Sequence, residues 1–300
     1  MSFLSKSLNP TEVAAIARFF SASVVQEMAQ TGKSALFSRL VLQSSLRNAL
    51  DQSEPASKLF DLAFSILKKK AYRHEYVYKA AITHKLLLGK HSLRTASMLT
   101  EFRIGRCKAD VVILNGTSTV YEIKSERDKL NRLETQISEY RKVFAKVNII
   151  TGENHLQSVI DTTSPEVGVL LLNDQFRIST IREAVDCTDR IEPEAVFNSM
   201  SQSEAIKILE HLNILIPKLP NTQIHQAIRD LFIKIPPREL HESMLHVLKE
   251  KRSLLHVSEL ANSLPDSLKA VVFATTLRKK DYSRLLDAVN TPIKNVLNWA

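Results

Sequence analysis

Cys107-Lys108-Ala109-Asp110-Val111-Val112-Ile113-Leu114, then Asn115-Gly116, then Thr117-Ser118-Thr119-Val120-Tyr121-Glu122-Ile123-Lys124 forms two runs rich in β-branched residues around a turn dipeptide. Asn-Gly between apolar runs is the strongest short signal for a β-hairpin. Three of these residues are out of place in an ordinary buried strand: Asp110, Glu122 and Lys124. Alternation along a strand sends Glu122 and Lys124 to one face and Ile123 to the other. Directly opposite residues of an antiparallel pair share a face, and a one-residue slip reverses it. Asp110 meets Glu122 only across a loop with an odd number of residues; a tight two-residue turn at Asn115-Gly116 would pair Asp110 with Tyr121 instead. We expect a three-residue or bulged loop, which brings two carboxylates and an ammonium to one patch. Carboxylates held that close call for a cation such as Mg²⁺.

Working outward, Ser97 to Ile104 precedes this hairpin across Gly105-Arg106, so three short strands form a meander. Upstream, Tyr72 to Gly89 has helical spacing, with Gly89 expected as its C-cap. Downstream, Ser125 with Asp128 has the form of a capping box and predicts a helix through Lys146, buried along Leu130, Leu133, Ile137, Tyr140 or Arg141, and Phe144. Val147 to Ile150 is a buried strand, and Val167 to Leu172 with Phe176 to Thr180 form a last hairpin around Asn173-Asp174.

The rest of the 300 residues is punctuated differently. No proline lies between Pro55 and Pro165, and seven prolines but no glycine follow Gly168. The centre is therefore strands and turns, and the C-terminal third is helical. Residues 10 to 70 carry apolar positions at helical spacing, with Asn9-Pro10-Thr11 as a start signal and Pro55 as a break. The expected division is a helical arm at 1–70, a central unit at 71–185 and a helical region at 190–300. Ser258 to Leu277 has the outline of a helix-turn-helix, which ordinary helix packing explains equally well.

Lys and Arg total 41 against 32 Asp and Glu, a net charge of +9 spread along the chain without a basic tail. Such a field suits a polyanionic partner. Two cysteines, Cys107 and Cys187, allow neither a disulfide framework nor a Cys-rich zinc site. With no apolar run long enough to span a bilayer, the chain reads as cytoplasmic and away from membranes. Two motifs fail on inspection. Thr31-Gly32-Lys33-Ser34 has Glu27 where a phosphate loop needs its first glycine. His241 and His246 are five apart, which does not place them on one helix face as a zinc pair requires.

The order helix, Asp on the second strand, Glu-x-Lys on the third, helix, strand resembles the core of the PD-(D/E)XK nuclease superfamily over roughly Tyr72 to Thr151. Glu75-Tyr76-Val77-Tyr78-Lys79, the Lys85 to Ser92 stretch, and Thr100-Glu101-Phe102-Arg103 leading to Ala109-Asp110 look like a bacterial and prophage branch of it. Ala109 stands where the superfamily's name has proline. The resemblance implies a restriction-endonuclease-like αβββαβ core, of α/β (α+β) class with a mixed central sheet. It also implies phosphodiester hydrolysis in nucleic acid, with DNA the expected substrate. Asp110 and Glu122 would hold Mg²⁺ or Mn²⁺, and Lys124 would help place the attacking water. A third acid from the first helix falls to Glu75, with Glu101 as competitor. Gln136, Arg132 and Tyr140 on the following helix would contact substrate. The helical arms would serve a homodimer or a protein partner.

Each residue also has an ordinary structural explanation. Asp110, Glu122 and Lys124 suit a cross-strand ion cluster, Glu75 an acid in a helix's first turn, and Tyr140 a place in the core. A nuclease fold that binds nucleic acid or protein without cutting is the alternative function.

Overall fold

The computed structural model describes residues 8–299. Its fold is α+β, a six-stranded mixed sheet flanked by helices, as expected. In chain order the helices of the N-terminal part are α1 (Pro10–Ala17), α2 (Ala22–Thr31), α3 (Ala35–Leu42), α4 (Ala56–Leu67) and α5 (Glu75–Ala81). A π-helical stretch, Ile82–Leu87, leads into α6 (Leu88–Lys90). The strands are β1 (Ser97–Ile104), β2 (Cys107–Leu114), β3 (Ser118–Lys124), β4 (Lys146–Thr151), β5 (Gly168–Leu172) and β6 (Ile178–Arg182). Between them lie α7 (Leu133–Arg141) and α8 (Glu153–Thr162). After them come α9 (Pro193–Ser199), α10 (Gln202–His211), α11 (Asn221–Phe232), α12 (Pro237–Lys251), α13 (Leu255–Asn262), α14 (Asp266–Ala274), α15 (Tyr282–Asn290) and α16 (Ile293–Val296).

The chain divides into two compact units, and not where expected. Among the described residues, one comprises 8–84, 174–176 and 254–299; the other comprises 85–173 and 177–253. The expected blocks 1–70, 71–185 and 190–300 assume that neighbours in sequence fold together. Instead the last four helices join the first five. The Pro55 break pairs with Pro292 through Ala56 N–H to Thr291 O at 2.9 Å and Ile293 N–H to Glu54 O at 2.9 Å. The core of this helical unit is aromatic, with Phe37 stacked on Phe60 and Phe20 on Tyr76 at 4.6 and 4.4 Å between ring centres. Asn9 caps α1 in a reciprocal capping box with Glu12. Gly32 (φ 78°) is the C-cap of α2 and Ser34 the N-cap of α3, so Thr31-Gly32-Lys33-Ser34 is a helix junction. In α14 the residues Ser267, Leu268, Ala270, Val271, Val272 and Phe273 are buried around the helix. That leaves it no broad face for a DNA groove, and packing accounts for the α13–α14 pair.

The second unit holds the sheet, in the order β1-β2-β3-β4-β5-β6. The β1/β2, β2/β3 and β5/β6 pairs are antiparallel, and β3/β4 and β4/β5 are parallel. Parallel neighbours need crossovers. The helix α7 supplies the first, and α8, which the sequence reading passed over, supplies the second. One face of the sheet presents Val112, Leu114, Val120, Val147, Ile149 and Val169 to a core shared with Ile137, Tyr140 and Phe144 around α7 and with Phe197, Ile208, Phe232 and Met244 of the later helices. Two boundaries shift. Gly89 lies inside α6 without a positive φ, so the expected C-cap there is wrong and the helix runs on to Lys90. The Ser125 N–H and hydroxyl both donate to Asp128 at 2.8 and 2.6 Å, but this closes a single turn, and α7 starts only at Leu133 and ends at Arg141.

Among the described residues no helix is long and apolar enough to cross a membrane.

Candidate functional site

The β2–β3 loop is three residues long. Leu114 pairs with Ser118, Ile113 with Thr119, Val112 with Val120 and Val111 with Tyr121. Continuing that register by one step sets Asp110 opposite Glu122, the arrangement expected from the odd loop. The reason is burial: Val112, Leu114 and Val120 must share the core face, and the slipped register would expose one set. At this level β3 leaves β2. The Ile123 N–H donates at 2.7 Å to the carboxylate of Asp110, and β3 pairs onward with β4 through Lys124↔Thr151.

Glu122 is 2% exposed and Lys124 6%, so both charges are withdrawn from water. Burial on those terms is tolerated only where every charge is paired and hydrogen-bonded. Lys124 Nζ donates to Glu122 Oε1 and to Gln136 Oε1, each at 2.8 Å. Gln136 Nε2 donates to Glu122 Oε1 at 2.5 Å, and the Tyr140 hydroxyl lies 2.7 Å from Glu122 Oε2 and 2.8 Å from Lys108 O. Gln136 and Tyr140 are one helical turn apart, which is why both reach one carboxylate. Burial first, and then the charge of Glu122, push the Tyr140 hydroxyl far above its ordinary value, so it remains a donor. A carboxylate has about four lone-pair sites. Glu122 uses three, and one on Oε2 remains for a further ligand.

A second acid pair adjoins. Glu101 on β1 has φ 53°, a left-handed conformation rarely adopted by such a residue, and interrupts the β1/β2 ladder between Thr100↔Val111 and Phe102↔Ala109. Its carboxylate and that of Asp110 come within 4.8 Å, while its Oε2 also accepts from Lys108 Nζ at 2.9 Å. The carboxylates of Asp110 and Glu101 are the donor type Mg²⁺ takes, one or two at a time with waters completing the shell, and Glu122 keeps one acceptor site open on the adjoining strand.

The structure brings together some of the expected site residues and not others. Asp110, Glu122, Lys124 and Gln136 converge. Tyr140 joins them as a fully buried hydroxyl, so the expected contact with substrate backbone is wrong; its ring packs in the core while its oxygen serves Glu122. Arg132 is exposed at the N-cap of α7. Glu75 is the first residue of α5, in the other unit, where it pairs with Lys79 at 2.6 Å. Two features go beyond the expected set: the left-handed backbone at Glu101 and the basic tip of the β1–β2 hairpin. There Arg103 stands directly opposite Lys108, both exposed, with Arg106 in the turn between. Like charges opposite one another cost stability. A Cβ on Gly105 (φ 52°) would fall 2.7 Å from Glu139 Oε2, which sets this turn against α7. The signal was legible as Arg103, Arg106 and Lys108 crowding a two-residue turn.

Elsewhere in this unit His241 is buried and its Nε2 lies 2.9 Å from Ser118 Oγ, whereas His246 is on the surface stacked on His211; the two share no face, as their spacing requires. Both cysteines are free thiols.

Comparison with known proteins places this chain. A curated relative, Protein cII of Enterobacteria phage P4, is 26% identical over 178 residues, which are 58% of this chain and 60% of the relative. The chain thus spans less than two thirds of that protein's length. Among solved structures, a protein of unknown function from Silicibacter pomeroyi matches at 18% identity with a TM-score of 0.28, covering 40% of this chain and 81% of the other. The family model described as Bacteriophage P4 protein cII matches residues 68–272, well over half of the sequence, and the chain belongs to that family.

Proposed function

We propose that this protein is a divalent-metal-dependent nuclease of the PD-(D/E)XK type that hydrolyses phosphodiester bonds in DNA in the cytoplasm. The observation that carries the reading is the register across the three-residue loop, which sets Asp110 opposite Glu122 with Lys124 two residues further on the same face. Asp110 and Glu122 would hold Mg²⁺ or Mn²⁺, with Glu101 as the third acid that this unit itself supplies. When bound, the metal supplies Lewis acidity and a water of lowered pKa. Lys124 holds Glu122 in place and presents an ammonium to charge developing on a phosphate. Gln136 and Tyr140 fix the orientation of Glu122 from α7. The hairpin tip, with Arg103, Arg106 and Lys108, and Arg132 offer exposed cations to the phosphates on either side of the bond to be cut.

A second reading, a nuclease fold that binds nucleic acid without cutting, is favoured by one observation: Glu122 is already tied to Lys124, Gln136 and Tyr140. Incubation with linear, circular, branched and single-stranded DNA in Mg²⁺ or Mn²⁺ separates the two. Cleavage that disappears in Asp110→Ala supports the enzyme. Identical behaviour of wild type and variant ends the nuclease reading and leaves the binding module.

A further inference from the structure

The sheet face opposite Glu122 and Lys124 carries a separate cavity. Strand alternation sends Thr119 and Tyr121 of β3 and Asn148 of β4 to that side, over an apolar floor from Ile113 and Leu170, around a half-open space of about 200 Å³. For comparison, a dry cavity of about 150 Å³ accommodates benzene. The space here suits a somewhat larger ring.

Three features of the wall are chemically specific. First, Asn148 is 7% exposed and lines the cavity, on the strand face it shares with Tyr121. The amide therefore offers both a donor and an acceptor to whatever enters the cavity. Space for it is kept by Gly168, since a Cβ there would fall 2.0 Å from Asn148 Oδ1. Second, Lys90 and Lys146 border the cavity, Lys146 also acting on the charge of Asp186. Beside Lys90, His91 Nδ1 is 2.6 Å from Asn115 Nδ2, which braces that wall. Third, the half-buried ring of Tyr121 stands on the wall as a flat aromatic surface, and Glu183 lies at the exposed rim.

We propose that this cavity binds a nucleoside monophosphate, with the base against Tyr121 and the Asn148 amide and the phosphate at Lys90 and Lys146. A nucleobase edge sets a donor beside an acceptor, which an Asn amide matches with both of its groups. The phosphate answers the two ammonium groups at the border. Ribose hydroxyls can donate to Glu183, a carboxylate that accepts only. This inference is independent of the nuclease reading, because no residue of the Asp110–Glu122–Lys124 cluster lines the cavity.

The test is calorimetric titration of the full-length protein in EDTA with AMP, GMP, CMP and UMP, alongside ribose 5-phosphate and inorganic phosphate. At least one nucleotide is expected to bind with Kd below about 1 mM. Asn148→Asp keeps the shape but loses the donor, and Lys90→Ala and Lys146→Ala remove one cation each; each variant is expected to bind roughly tenfold more weakly or worse. Lys90 is exposed, so its variant reports even if Asn148→Asp fails to fold. The proposal is overturned if no nucleotide binds, if ribose 5-phosphate or phosphate binds as tightly as the nucleotides, or if the folded variants bind like wild type.

Discussion

Replacing Tyr140 by Phe removes one hydroxyl from a fully buried site and leaves the ring in place, so no cavity term complicates the outcome. That hydroxyl reaches Glu122 Oε2 at 2.7 Å and Lys108 O at 2.8 Å. Its single proton serves the carboxylate, the stronger acceptor. A hydrogen bond to a charged group contributes about 1.5–3 kcal/mol, and the withdrawn Glu122 has no water to replace it. We therefore expect Tyr140→Phe to destabilise the protein by about 2 kcal/mol, read as a lower urea midpoint at constant slope. In the background of Glu122→Gln, the same hydroxyl meets a neutral acceptor worth roughly 1 kcal/mol, so the double-mutant cycle should return a coupling of about 1 kcal/mol. A complementary readout is spectroscopic. Tyr140 should not ionise on alkaline titration until the protein unfolds, because burial and Glu122 both oppose the phenolate. A loss below about 0.5 kcal/mol, or an equal loss in both backgrounds, would refute the claim that this hydroxyl holds Glu122.

Two further outcomes follow from other parts of the structure. His241 is buried with Nε2 accepting from the Ser118 N–H at 3.3 Å, and burial lowers its pKa against the smaller opposing fields of Asp186 and Glu242. The unfolded chain thus takes up this proton first as pH falls below about 6.5, so the stability is complete above that value and declines through the depressed folded pKa. His91, also lowered, acts in the same sense, so the difference between wild type and His241→Gln in stability between pH 7 and pH 5 isolates His241; parallel curves would remove it. At the hairpin tip, Arg103→Glu with Arg106→Glu should weaken nucleic-acid binding and make it less salt-sensitive, by roughly one unit of log–log slope for each phosphate the tip no longer neutralises. An unchanged slope would show that this tip does not meet the backbone.

Much of this molecule can be read from residues a few positions apart. Alternation in 107–124, the helix starts at Asn9 and Ala56, and the grouping of Glu122 with Lys124 depend on local sterics and on side-chain period, which act along the chain. Even the loop length followed, because a buried face and the odd-residue rule exclude the two-residue turn that Asn115-Gly116 otherwise favours. The crossover helix α8 was legible too: Leu156, Val159 and Ile160 have helical spacing after Gly152, and parallel strands on either side demand a connection. What no local pattern contains is the choice of distant neighbours. Residues 254–299 fold with 8–84, Tyr140 turns its oxygen to Glu122 while its ring enters the core, Glu101 is held at positive φ beside Asp110, and Asn148 is left facing a cavity. Each of these depends on which apolar surfaces find one another in three dimensions. Hydrophobic burial is non-directional and pairs residues without regard to their separation in sequence, so those outcomes arise only when the chain packs.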